Sequence, residues 1–337
     1  MRHAVSMVAV IALSALGAAS ARAELPLHLR DTGLYTDAAM TAIRPGVVAF
    51  SPQYPLWSDG AAKRRWIQLP PGTSIDAVQP DAWDFPRGTK LWKEFSHGRA
   101  LETRFIERGA DGNWRFASYI WNADGSDAVL APAAGVRDLP APNAPGARYT
   151  IPAENDCRAC HEGAPVPVLG FSALQLSPDR DPLAPHADAG VTPADLRTLV
   201  ARGILKNLPA ELLAKPPRIA ASSPAERAAL GYLHGNCGNC HNDDGPLAVL
   251  EMTLAQRVAA PPNAVLHSIV GVQSQYRAPG APADAARVAP GHLGESVIAL
   301  RMRSRDPLQQ MPPLGTQAVD AEALALIGRW IEGLPTH

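Results

Sequence analysis

The sequence has 337 residues and four cysteines, and all four fall into one repeated arrangement. NDCRACHEG, residues 155–163, holds Cys157, Cys160 and His161. GYLHGNCGNCHN, residues 231–242, holds Cys237, Cys240 and His241. Each reads C-x-x-C-H. Two thiols separated by two residues can add across the two vinyl groups of a porphyrin, because one turn of backbone sets their separation. The histidine that follows points under the ring, where its Nε2 can bind iron as the proximal ligand. The motifs therefore predict two covalently bound haem c groups, with His161 and His241 as metal ligands.

Other chemistries fit the same residue types less well. Two C-x-x-C pairs can build a zinc site, but the pairs lie 80 positions apart and zinc leaves both adjacent histidines unexplained. A thioredoxin-like dithiol needs a strand before the motif, and none is read there. Two disulfides would suit an exported chain, yet a disulfide framework has no reason to place a histidine behind each of two identical pairs.

A distal ligand is legible for the second haem. Met311 opens MPPLG (311–315), 70 residues after His241. The prolines fix an extended segment and offer no competing amide donors, so the thioether is well placed to bind iron. For the first haem the candidates are His97, His186, His234 and Met252, and an open position is a further alternative.

The elements that must position these residues divide into two regions. Ser223-Pro224 gives an N-cap and a first-turn proline, and the helix that follows, over 225–233, delivers Cys237. A closing helix over 320–333 carries Leu324, Ile327, Trp330 and Ile331 at three- and four-residue spacing. PGHLGESVIALRM (290–302) supplies another helix, and Thr192-Pro193 starts a short one running to about Arg202. In front, after a short helical stretch near Asp37 to Ile43, the segments 64–70, 89–97, 100–108 and 113–122 read as strands. GADG (109–112) and NADG (122–125) are hairpin turn signals. Six of the seven tryptophans fall between Trp57 and Trp121. They suit a core or, alternatively, an exposed sugar- or partner-binding face. The proline-rich segment 131–152 reads as a connection.

The fold expected is α+β and multidomain: a signal peptide (1–23), a β-sandwich-like region (24–152), a first haem-binding segment (153–222) and a mainly α-helical cytochrome c-like region (223–337). Residues 1–23 have a basic start at Arg2, an apolar run from Ala4 to about Ala19, and a small-residue close at Ala21-Arg22-Ala23. That is the pattern of a secretory signal cleaved after Ala23, which implies a periplasmic protein. The run is shorter than the roughly 20 apolar residues of a membrane span, and no later segment is apolar enough to cross one. Net charge is −1, moving to −3 once Arg2 and Arg22 are removed, so nucleic acid is not an expected partner.

PLWSDGAAKRRWIQLP, LWKEF, LETRFI and YIWN in front, then NDCRACH with VLGFSALQL, YLHGNCGNCH, PGHLGESVIALRM and MPPLG, resemble a family of bacterial diheme c-type cytochromes. The resemblance spans nearly all of the chain after residue 23. The back third is similar to class I cytochrome c, which implies Cys237, Cys240 and His241 as attachment residues and Met311 as an axial one. What the resemblance implies is electron transfer between an exported oxidoreductase and an acceptor, with redox proteins as partners. A diheme peroxidase-like enzyme with an open position on the first haem is the alternative. A front region that docks a polymer or a partner dehydrogenase is a third reading.

Overall fold

The aromatic-rich front segments pair as one antiparallel sheet in the computed structural model, which describes residues 25–187 and 194–336. The leader segment and Thr192-Pro193 lie outside those residues. Six strands stand in the order β1 (Val48–Ala49), β2 (Ala62–Gln68), β4 (Lys90–His97), β5 (Arg99–Arg108), β6 (Trp114–Trp121) and β7 (Ala128–Leu130). Both hairpin signals are turns. Gly109 N–H donates to Asn113 O at 2.8 Å and Asn122 N–H to Asp127 O at 2.9 Å, with Gly112 and Gly125 at positive φ. A short β3 (Ile75–Asp76) lies outside this sheet.

Strand alternation gives the sheet two apolar faces. Trp66, Trp92, Phe105 and Ala117 stand in register across β2, β4, β5 and β6 on one of them. They are buried with Leu29, Leu34 and Tyr35 from the front of the chain. Ile67, Leu91, Ile106 and Phe116 form the matching row on the other face, where they bury Phe171, Leu176, Leu196 and Leu199. Chain without long strands therefore covers each face, and the β-sandwich expectation is corrected to a single covered sheet. None of the six front tryptophans is exposed: four are buried and Trp57 and Trp114 are half-buried.

Two local expectations also change. The stretch near Asp37 to Ile43 is a turn, because the Asp37 carboxylate takes the N–H groups of Thr41 and Ala42 at 3.0 Å each and competes with helix. The proline-rich connection contains a two-stranded ribbon, β8 (Val136–Pro140) with β9 (Arg148–Ile151). β9 thus precedes the first motif, but as part of an antiparallel ribbon rather than a parallel crossover unit.

The remaining elements are mainly helical: α1 (Glu154–His161), α2 (Leu196–Ala201), α3 (Glu211–Ala214), α4 (Pro224–Asn236), α5 (Ala264–Ile269), α6 (Val297–Arg303) and α7 (Ala321–Glu332), with β10 (Leu205–Lys206) pairing β3. Ser223 caps α4 by accepting from Glu226 N–H at 3.1 Å, and Asp320 caps α7 by accepting from Ala323 N–H at 3.0 Å. Leu230 and Leu233 of α4 meet Ile327, Trp330 and Ile331 of α7 in a second core. The helix expected over 290–302 starts only at Val297, after a 3₁₀ turn over Leu293–Glu295.

Candidate haem-binding cavity

Cys157, Cys160 and His161 occupy the end of α1. Asp156 Oδ2 accepts from Ala153 N–H at 3.0 Å, and Arg158 bridges Glu154 and Glu162 at 2.8 and 2.6 Å, so the short helix is fixed at both ends. His161 Nδ1 lies 2.7 Å from Pro167 O. A carbonyl can only accept, so Nδ1 carries the proton and the Nε2 lone pair is left for a metal. Burial lowers the ring's pKa to about 4, which keeps it neutral and competent to ligate.

The second motif follows α4 directly. Cys237 O accepts from Cys240 N–H at 3.1 Å and from His241 N–H at 2.9 Å, and this single turn sets the thiol spacing. Burial pushes the Cys237 thiol up to about 12 and Cys157 up to about 11. Burial also lowers the His241 pKa, with Arg301 and Arg287 adding to it. Its Nδ1 is buried with no hydrogen-bond partner among the described residues.

The two motifs touch. Cys240 Sγ lies 3.8 Å from Ala159 O, in the first motif, and donates to it. Asn242 Nδ2 donates to Gly163 O at 2.8 Å, and its Oδ1 accepts from Gly245 N–H at 2.8 Å. Gly163 is required here: a Cβ would sit 2.7 Å from Asn239 O.

Both motifs line one cavity of about 560 Å3, within the ~300–1,000 Å3 range of cofactor pockets. Met311 lines it too, held by its own N–H to Arg301 O at 3.0 Å while Arg301 Nε donates to Gln309 O at 2.9 Å. The structure therefore brings Cys157, Cys160, His161, Cys237, Cys240, His241 and Met311 to one space. All four thiols are free of disulfides. Among the described residues no three His, Cys, Asp or Glu side chains gather as a metal-binding group, so the sulfurs are not laid out as a zinc tetrad.

The four distal candidates for the first haem separate. His97 stands outside the cavity beside Tyr149, ring centroids 6.2 Å apart. His186 is also outside, with Nε2 2.8 Å from Asp320 and Nδ1 3.6 Å from Glu322. His234 lines the cavity, but its Nδ1 accepts from Gln256 N–H at 3.1 Å. The neutral ring then carries its proton on Nε2, which excludes that atom as a ligand in this tautomer. Met252 lines the cavity and, like Cys237, packs against the α4–α7 core, on the side of the second motif.

The front region forms part of the cavity wall, a role that sequence reasoning missed. Tyr54 lies in the notch of two α4 glycines, since a Cβ at Gly231 would overlap its ring and one at Gly235 its carbonyl. Asn236 Oδ1 accepts from Trp57 N–H at 2.7 Å, and the Trp57 indole N–H is buried at the cavity without a partner among the described residues. From the sheet come Arg65, Lys93 and Arg104. The signal for the last three was strand alternation, which turns Lys93 to the same side as Leu91.

The residues fit haem on chemistry: paired thiols, an oriented neutral imidazole, orphaned donors and an apolar enclosure. No protein-family model, curated protein or solved structure matches the chain. No helix of the described residues is long and apolar enough to cross a membrane.

Proposed function

We propose that the chain is an exported, periplasmic diheme c-type cytochrome that passes electrons between an oxidoreductase and an acceptor protein. The observation that carries this reading is the shared cavity: both C-x-x-C-H segments open into it and touch through Cys240 with Ala159 and Asn242 with Gly163. Haem, when bound, supplies reversible one-electron chemistry at iron.

The chain's own residues do the rest. Cys157 with Cys160, and Cys237 with Cys240, anchor the two porphyrins. Pro167 O orients His161 through Nδ1 and raises the basicity of Nε2. Met311 lines the same cavity and would hold the iron together with His241, where a thioether would favour the reduced state and a high potential. The apolar wall of Leu91, Ile106 and Phe85 excludes water and so limits reorganisation on charge transfer.

The test is intact-mass analysis of the protein exported in a host that matures c-type cytochromes. The expected mass is that of the cleaved chain plus two haems. Cys157→Ala with Cys160→Ala, and separately Cys237→Ala with Cys240→Ala, each remove one. A mature chain that carries fewer than two added haems overturns the proposal.

A further inference from the structure

Lys93 sits near the middle of the sheet with its side chain at the cavity. Its register partners are Arg65 on β2 and Arg104 on β5, and both line the same cavity, so three cationic side chains stand in one row. Arg104 is satisfied by Glu102, at 2.9 and 3.0 Å through two parallel bonds. The Glu102 carboxylate is further taken by Ser118 Oγ and Tyr149 OH, at 2.8 Å each. Lys93 makes no hydrogen bond or ion pair with a described residue. Its short contact is with the Phe95 ring, 4.9 Å from the centroid.

An ammonium in that position is poorly tolerated, because it is desolvated and faces like charge. Burial first, then Arg65, Lys63 and Arg104, hold the Lys93 amine well below the usual lysine range, with Glu102 the one opposing charge. Lysine responds to such surroundings by giving up its proton, which arginine does not do. A neutral amine is a nitrogen ligand for iron. Lys93 also belongs to the His161 end of the cavity: alternation puts it on the sheet face of Leu91, Ile106 and Phe116, and the Phe116 ring packs on the His161 ring with centroids 5.2 Å apart.

We infer that Lys93 Nζ is the distal ligand of the iron held by His161. The inference rests on the diheme reading. It fills the position that His97 and His186 cannot reach, that His234 meets with a protonated nitrogen, and that Met252 faces from the other motif.

The deciding measurement is near-infrared magnetic circular dichroism with EPR on the full-length ferric holoprotein, with haem content taken from intact mass. The wild type is expected to show two low-spin haems, one with the charge-transfer band of amine–imidazole ligation. Lys93→Ala and Lys93→Arg are expected to turn one of the two haems high-spin, leave the other unchanged, and keep both covalently attached. The alanine variant adds no charge and the arginine variant adds a permanent one, and neither has a ligating lone pair, so the same high-spin result in both separates ligation from electrostatics. Two haems with a bis-imidazole or thioether band at the first site, or with a high-spin first site in the wild type, overturn Lys93 alone. The wild-type spectrum decides this even where neither variant folds. Fewer than two haems in the wild type overturns the diheme reading and Lys93 with it.

Discussion

Asn242, the residue directly after the second C-x-x-C-H, donates its side-chain amide to the carbonyl of Gly163, two residues past the first, at 2.8 Å. The same amide also reaches Gly238 O and Asn239 O at 3.1 Å each. One buried side chain therefore fixes the two attachment segments against each other. Asn242→Ala leaves several buried groups unpaired and is expected to destabilise the fold by about 2–3 kcal/mol. Urea unfolding measures it, and a change within about 0.5 kcal/mol would show that the tie is incidental.

A second contact joins the sheet region to α4. Gly231→Ala places a methyl group where the Tyr54 ring lies, and the expected loss is about 1–3 kcal/mol. Tyr54→Leu in the same chain should recover part of it, because contacting residues couple in a double-mutant cycle. Strictly additive losses in thermal or urea unfolding would count against the notch.

Met311→Ala removes the thioether at the second site. The expected result is a lower potential or a high-spin spectrum for one haem, with both haems still covalently attached. Potentiometry and EPR read this out; an unchanged potential and spectrum would remove Met311 from the coordination sphere.

His234 makes the fold acid-sensitive. Burial holds its pKa at about 4 against an ordinary 6.5. Between those values the unfolded ring binds a proton that the folded ring refuses, so stability falls as pH drops from about 6.5 towards about 4. At about 1.4 kcal/mol per unit the full loss is about 3 kcal/mol. His234→Asn keeps an acceptor for Gln256 N–H without the titration. Urea midpoints at pH 7 and pH 5 should differ less in the variant than in the wild type; equal differences would contradict the assignment.

Much of the site was legible because its signals are local. The C-x-x-C-H spacing, the Ser223 cap with Pro224, and the Gly112 and Gly125 turns each act within a few residues. The structure places all seven named side chains on one cavity. What local reading could not supply was what packs across that space. Nothing around Lys93 in KLWKEF distinguishes a solvated lysine from one facing a cavity, since both obey the same alternation. Tyr54 and Gly231 are likewise 177 positions apart, and only the fold brings them together. The sandwich expectation failed for a related reason: the pattern shows that both sheet faces are buried, not what buries them.

The cavity wall also constrains the order of events in biogenesis. Its sheet side, from Phe50 to Ile106, precedes both attachment segments in the chain, so on the proposed reading it is exported before them. Thioether formation needs reachable sulfurs, whereas Cys157 and Cys237 are partly buried against the packed cores once the sheet region and α4 meet at Tyr54. On the diheme reading, attachment is therefore expected while the front region is still undocked. The closing of Tyr54 onto Gly231 and Gly235 would then follow attachment, as a step of maturation.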